Sequence, residues 1–233
     1  MIFMQIEKLP TNSPLDKILE GGIEKDTITN IYGEPGAGKT NLAMLCAISA
    51  IKEGKNAIYI DTEGGFSLER FSQLAKENSE KYLKKIILFS PVSWKEQCEI
   101  IEKVEENLEK ENVGIIIVDS IVSLYKLEVN QENFHEINRE LGKQYLILSN
   151  ISRNRNIPTL VTNHIYVLEG KIELTSRLIG RYWAKTLIKL EKLDISGHRR
   201  ATIIKHRSIP EGRKIEFQIT GNGLKEVGKF SVI

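Results

Sequence analysis

Gly33-Glu34-Pro35-Gly36-Ala37-Gly38-Lys39-Thr40 separates two different residue patterns. Before it, Ile28-Thr29-Asn30-Ile31-Tyr32 reads as a buried strand; after it, Asn41 to Lys52 repeats apolar residues at helical spacing. The run matches G-x-x-x-x-G-K-[ST] in full, and a strand, glycine-rich loop and helix in that order form a phosphate-binding loop. A polyphosphate has to be held by several backbone N–H groups, so the chain must curl closely around it. Gly36 and Gly38 permit this because they lack a Cβ, and Gly33 permits a sharp exit from the strand. The helix that starts near Lys39 aims its free N–H groups and positive dipole end at the phosphates. Lys39 is the candidate for the β- and γ-phosphates and Thr40 for Mg²⁺. The whole run, with Glu34, Pro35 and Ala37, is the candidate nucleotide-binding set.

A metal-bound nucleotide also needs a carboxylate near the magnesium. Ile115-Ile116-Ile117-Val118 is a continuous apolar run, as expected for a parallel strand covered on both faces, and Asp119 emerges at its carboxyl end. Asp119 is assigned to Mg²⁺ through the ion's water shell, because Mg²⁺ gives up its waters reluctantly. Hydrolysis needs a further group to orient or deprotonate water. Ala57-Ile58-Tyr59-Ile60-Asp61-Thr62-Glu63-Gly64 is a second apolar strand ending in two carboxylates. Glu63 is the candidate; Asp61 fits local capping or pairing equally well, and in the bland alternative both merely solvate a loop.

At 233 residues, 41% of them hydrophobic, the chain can bury the core of one α/β domain spanning residues 1–233, with a short leader at 1–12. No signal-peptide pattern and no membrane-length apolar run is present, which predicts a soluble intracellular protein. Cys46 and Cys98 lie in predicted helices without C-x-x-C spacing, so they read as reduced core residues.

The formal net charge of +2 conceals an uneven distribution. Lys171 to Arg213 holds 11 Lys and Arg against 4 Asp and Glu, a net +7, which leaves −5 for the rest. The positive stretch includes Arg177, Arg181, Lys185, Lys189, Lys192, Arg199, Arg200, Lys205 and Arg207, with His198 and His206 interspersed. It fits a footprint for a nucleic-acid backbone, and it fits equally a solvated basic face on hairpin strands.

Strands are predicted near Thr27–Tyr32, Ala57–Asp61, Ile86–Phe89, Gly114–Asp119 and Pro158–Asn163. Helices are predicted at Leu15–Gly22, Lys39–Lys52, Leu68–Asn78, Trp94–Glu111 and Asn133–Asn154. The alternation predicts a mostly parallel twisted sheet with helices on both faces. From Trp183 onward the pattern changes to antiparallel hairpins, with strands at Leu187–Leu190, Ala201–His206 and Lys214–Thr220.

With these residues in place, the chain resembles the ATPase core of the RecA and RadA recombinase superfamily, and most closely its small archaeal RadB branch. The resemblance runs from Ser13-Pro14-Leu15-Asp16 and Gly21-Gly22-Ile23-Glu24 through the phosphate loop and Tyr59 to Gly64, with Phe66 and Arg70. It continues through Asp119-Ser120, Thr162-Asn163 and Ile209-Pro210-Glu211-Gly212. It implies a RecA-like fold, ATP and Mg²⁺ as ligands, Glu63 as the catalytic glutamate and Arg70 packed on the adenine. It also implies DNA, single-stranded or branched, as partner, a cytoplasmic and nucleoid-associated location, and RadA recombinase and a Holliday-junction resolvase as protein partners.

Several departures from the superfamily pattern shape the expected function. No N-terminal helix-hairpin-helix domain or phenylalanine polymerisation motif is evident, which leaves homo-oligomerisation open. The first DNA loop, Lys126-Leu127-Glu128-Val129-Asn130-Gln131-Glu132, is hardly basic, and the second, between Asn163 and about Tyr182, is short. His164 stands where the superfamily has a γ-phosphate-sensing glutamine. Lys205-His206-Arg207 resembles a tripeptide of the RadB branch and supports two readings: DNA contact, or fingers reaching a neighbouring protomer's ATP. Arg199 and Arg200 join it as candidate DNA-binding residues. The expected function is an ATP- and DNA-binding accessory protein of recombination and repair. It would have at most a weak Mg-dependent ATPase, little stimulated by DNA, and no strand exchange of its own. The rivals are a filament-forming strand-exchange recombinase and a KaiC-like signalling ATPase.

Overall fold

Successive residues of a strand point to opposite faces, and here that alternation builds two cores on one sheet. In the computed structural model, which describes residues 6–168 and 171–227, the central strands are β3 (Ile28–Gly33), β4 (Asn56–Asp61), β6 (Val113–Asp119) and β7 (Thr159–Asn163). Ala57, Tyr59, Ile115, Ile117 and Leu160 join one core, whereas Ile58, Ile60, Ile116, Val118 and Val161 join the other. Both faces are therefore apolar, and both require cover.

The chain starts with β1 (Lys8–Leu9), α1 (Leu15–Ile18) and β2 (Ile23–Glu24), then β3 and α2 (Lys39–Lys52). After β4 come α3 (Leu68–Ala75), α4 (Ser79–Leu83), β5 (Ile86–Phe89) and α5 (Trp94–Lys110). After β6 come α6 (Ser123–Glu128), α7 (Phe134–Arg155) and β7, followed by β8 (Ile165–Leu168), β9 (Lys171–Leu174) and α8 (Arg177–Trp183). The last strands are β10 (Thr186–Lys192), β11 (His198–Lys205), β12 (Lys214–Thr220) and β13 (Gly223–Glu226). Helices α1 to α3 cover the first core, and α5 and α7 cover the second. Helix α2 is buried from Leu42 to Ile51 on all sides, which is why it lacks a polar stripe.

Nine strands pair in the order β13-β12-β11-β10-β3-β7-β6-β4-β5. The five between β3 and β5 in this order run parallel, as the alternation predicted, and the sheet is antiparallel from β11 onward. One reading is extended and two need correction. The strand taken as the first arm of a hairpin, β10, is also a parallel neighbour of β3, because Leu190 sits beside Gly33. The single helix expected over Leu68–Asn78 breaks at Lys76, whose φ of 56° no helix accommodates, and a 3-10 turn leads into α4. The leader at 1–12 is part of the fold from Lys8, since Leu9 is fully buried and pairs with Ile23. Gly22 permits that pairing: a Cβ there would lie 2.1 Å from the Leu9 carbonyl oxygen.

Among the described residues no helix is long and apolar enough to cross a membrane.

Candidate nucleotide and nucleic-acid site

Parallel strands bring their carboxyl ends to one edge of the sheet, and ligands of such folds bind outside that edge. Gly33 ends β3, Asp61 ends β4, Asp119 ends β6 and Asn163 ends β7, with Tyr32 in register with Asn163 and Asp61 with Asp119. The phosphate loop, Glu63, Ser123 and His164 follow directly on those ends. Residues distant in sequence thus line one cleft of about 200 Å³: Pro35, Gly36, Gly38, Lys39, Thr40, Asn41, Glu63, Asp119 and His164.

The loop has the shape its glycines require. Gly36 and Gly38 take φ of 74° and 102°, in the left-handed region, and Gly38 caps α2. Lys39 Nζ donates to the carbonyl oxygens of Gly33 (2.8 Å) and Glu34 (3.1 Å), so its ammonium is folded over the loop. Burial lowers the Lys39 pKa, while Asp119 and Glu63 act in the opposite sense.

Asp119 is 4% exposed and accepts hydrogen bonds from Tyr59 Oη (2.7 Å), Thr162 Oγ1 (2.5 Å) and the Thr40 hydroxyl. Burial raises its pKa and the three hydroxyls lower it. The same surroundings push the Tyr59 phenol well above its usual range. Thr40 and Asp119, predicted as the metal pair, are therefore in direct contact.

Asp61 is the turn-former of this edge. Its Oδ1 accepts the N–H groups of Glu63 (3.2 Å) and Gly65 (3.0 Å), and its Oδ2 that of Phe66 (2.8 Å). Of the roles left open for it in the sequence, local capping is the one adopted. The turn is also tied to the next strand end, because Thr62 Oγ1 donates to the Ser120 carbonyl (2.7 Å) and accepts the Ser120 N–H (2.9 Å).

Glu63 presents its carboxylate to the cleft beside His164 and Ser123. Ser123 Oγ and His164 Nε2 each lie 2.5 Å from Glu63 Oε1, and Lys126 Nζ lies 3.1 Å from His164 Nδ1. A carboxylate can only accept, so Nε2 carries the imidazole proton and Nδ1 accepts from the Lys126 ammonium. The hydrogen bond from His164 is the main reason that the Glu63 pKa falls to about 2; burial opposes it, while Ser123 and Lys39 assist. Sequence reasoning missed Ser123 and Lys126, because their role depends on α6 starting directly above the end of β6. A larger, more open cleft of about 560 Å³ begins at Lys126 and includes Tyr125, Phe134, His135 and Tyr166. It lies between the two segments read as DNA loops.

Arg70, predicted to meet the adenine, stands at the rim. Its Nε donates to Asn41 Oδ1 (2.6 Å), and its Nη1 donates to Gln73 Oε1 (2.8 Å) and to the Gly221 carbonyl (3.1 Å). Its Nη2 is buried without a hydrogen-bond partner among the described residues. The loop glycines, the Thr40–Asp119 pair and this orphaned donor fit a magnesium nucleotide: a cradle for phosphates, oxygen ligands for a hard cation and a donor at the base end.

The basic stretch does not form one stripe. Arg199 and Arg200 point to opposite faces of β11: Arg199 Nε donates to the Gly36 carbonyl (3.0 Å), whereas Arg200 pairs with Glu216 across the strand (Nη2 to Oε1, 2.6 Å). Lys205 Nζ donates to the carbonyls of Arg181 (2.6 Å) and Ala184 (2.8 Å) at the end of α8. The His206 side chain is 1% exposed, and its Nδ1 accepts the Ser208 (3.1 Å) and Ile209 (3.2 Å) N–H groups. Arg207 bridges buried Glu24 (2.7 Å) and Asp26 (2.5 Å). Six residues at about 3.3 Å rise put Lys205 about 20 Å along β11 from Arg199, out of reach of its own phosphate loop. The side chain of Arg177 and positions 169–170 of the second loop lie outside the described residues.

Comparison with known proteins agrees with this geometry. The Rad51 family pattern matches residues 4–227. A Methanococcus maripaludis protein named DNA repair and recombination protein RadB is 44% identical over 217 residues, covering 92% of this chain and 98% of that protein. The same-named protein of Methanobrevibacter smithii is 39% identical over 229 residues, covering 95% and 97%. Among solved structures, the crystal structure of the RadB recombinase superposes with a TM-score of 0.82 at 34% identity, covering 94% of this chain and all (100%) of that one.

Proposed function

The chain belongs to the Rad51 family and its relatives are RadB proteins, and from that premise we propose that it is an ATP- and DNA-binding accessory protein of DNA repair and homologous recombination. In this reading it is a weak ATPase, works on the nucleoid in the cytoplasm, and carries out no strand exchange itself. The observation that carries the proposal is the Glu63–His164 contact at the lip of the phosphate loop.

Bound Mg-ATP supplies the phosphoryl group and the metal charge. The backbone N–H groups of the loop and the Lys39 ammonium, which here donates to the Gly33 and Glu34 carbonyls, would hold the phosphates. Thr40 and Asp119 would hold the cation, Asp119 through its water shell. Arg70 would orient the base and Glu63 the attacking water. A carboxyl group with a pKa of about 2 is a weak proton acceptor at neutral pH, and this one is already engaged by two donors. Slow turnover follows from that.

For DNA we assign the cations that keep like-charged neighbours. Burial is the main cause that lowers the Lys205 pKa, and the charges of Lys185 and Arg181 add to it, while Glu211 acts the other way. Such a cluster gains by meeting phosphate. Arg200 is paired with Glu216 but about a third exposed, and is a secondary contact in this reading. Arg207 and His206 support it from within, because Glu24 and Asp26 already neutralise the arginine. The protein partners proposed with this role are a RadA recombinase and a Holliday-junction resolvase.

The test is equilibrium binding of a labelled single-stranded oligonucleotide across a salt series, with and without Mg-ATP, for the native chain and Lys185→Ala/Lys205→Ala. Affinity that falls with salt, and a shallower slope in the double variant, support the reading. Absence of binding at low salt, or long filaments that exchange strands, overturns it.

A further inference from the structure

Sequence reading placed Arg199 with the DNA-facing residues and gave Lys192 no role of its own. In the fold they are cross-strand partners on the β10–β11 hairpin, and both sit on the phosphate loop. Arg199 Nε donates to the Gly36 carbonyl at 3.0 Å. The Lys192 backbone N–H donates to Glu34 Oε1 at 3.2 Å, and its ammonium stands 3.9 Å from Glu34 Oε2. The same ammonium is 3.4 Å from the point a Cβ on Gly36 would occupy. The hairpin thus grips both shoulders of the segment Glu34–Gly36.

We propose that the β10–β11 hairpin is a clamp on the phosphate loop, in which Arg199 and Lys192 are positioning residues that hold Glu34–Gly36 in the shape that receives a nucleotide's phosphates. The proposal rests on the ATP-binding reading above. A charged donor on the Gly36 carbonyl polarises the peptide that links Gly36 to Ala37, making its N–H a stronger donor. Two cations facing one another across a hairpin repel, and Glu34 is the only acid whose contact with either is seen among the described residues. A polyphosphate completes the balance. A stabilising role alone accounts poorly for the pair, since the Lys192–Glu34 contact is solvent-exposed and such pairs contribute little to folding.

The experiment is titration of a fluorescent ATP analogue with Mg²⁺ into the native chain, Arg199→Ala, Arg199→Lys, Lys192→Ala and, as reference, Lys39→Ala. Melting temperature without nucleotide and single-stranded DNA affinity are measured alongside. Arg199→Ala is expected to weaken nucleotide binding about tenfold and Lys192→Ala about threefold, with Arg199→Lys recovering most of the loss. DNA affinity and the nucleotide-free melting temperature stay near native values. If Lys39→Ala abolishes binding while Arg199→Ala binds like the native chain, the clamp is wrong and the ATP-binding reading stands. If Arg199→Ala weakens DNA binding and leaves nucleotide affinity intact, the clamp is likewise overturned. If the native chain binds no nucleotide, both fall.

Discussion

Glu63 Oε1 and His164 Nε2 lie 2.5 Å apart although 101 residues separate them, so one hydrogen bond joins the turn after β4 to the exit of β7. The bond holds the candidate catalytic carboxylate ionised and engages the imidazole Nε2.

Replacing Glu63 by Gln keeps the shape and removes the charge. Mg-ATP affinity should stay within about threefold of native, while turnover falls by a factor on the order of 10². Single-turnover hydrolysis measured beside nucleotide binding separates the two. Equal loss in both would show that Glu63 acts in binding rather than in orienting water.

Removing the imidazole tests what sets the Glu63 pKa. With the native bond that carboxyl titrates near 2, so the acidic limb of the rate profile above about pH 4 should not report it. His164→Ala deletes the largest cause of the depression, so the Glu63 pKa rises toward the usual carboxylate range. Activity should then decline at a higher pH as the solution is acidified. His164→Gln, which offers an N–H donor, should keep the native profile. Rate measurements from pH 4 to 8 on the three proteins decide this, and identical profiles for native and Ala would refute it.

His206 links stability to pH. Burial lowers its folded-state pKa below the ordinary 6.5, so the unfolded chain binds the proton more readily. Its stabilising contribution is present above pH 6.5 and is lost as pH falls through 6.5 toward the folded value. His206→Asn offers an acceptor near the Ser208 and Ile209 N–H groups and does not titrate. Urea unfolding at pH 7.5 and 5.5 should show a smaller drop for the variant than for the native chain; an equal drop would place the effect elsewhere.

Gly33 is fixed by its neighbour rather than by its own dihedrals. A Cβ there would lie 2.3 Å from the Leu190 carbonyl oxygen, which belongs to the paired backbone of β10. Gly33→Ala must part β3 from β10 at the base of the phosphate loop and should cost about 2–4 kcal/mol. Gly54→Ala makes a useful contrast: its site is open, with nothing within 4 Å, but its φ is 84°, so only the milder strain of a left-handed alanine applies. Chemical denaturation of both variants measures the difference, and a Gly33→Ala as stable as Gly54→Ala would contradict the account.

Much of the site was legible locally because it depends on short-range geometry. The glycines, Lys39 and Thr40 carry their chemistry in eight adjacent residues, and Asp119 and Glu63 follow strands whose apolar runs are plain in the sequence. The basic stretch was legible only as a sum of charge. Its alternating residues part to opposite faces of β11, which sends Arg199 to the phosphate loop and Arg200 to Glu216. Linear density of charge cannot show which cations find acids or carbonyls.

The sequence by itself determined the parallel α/β core, the phosphate loop and the two strand-end carboxylates, because strand periodicity and glycine conformational freedom are properties of neighbouring residues. Tertiary structure alone decided that His164 and Ser123 meet at Glu63, that Lys126 meets His164, that Lys192 meets Glu34 and that Arg199 meets Gly36. Those contacts join residues between 38 and 163 positions apart. Their partners are chosen by which strands the sheet places side by side, and only the folded backbone sets that order.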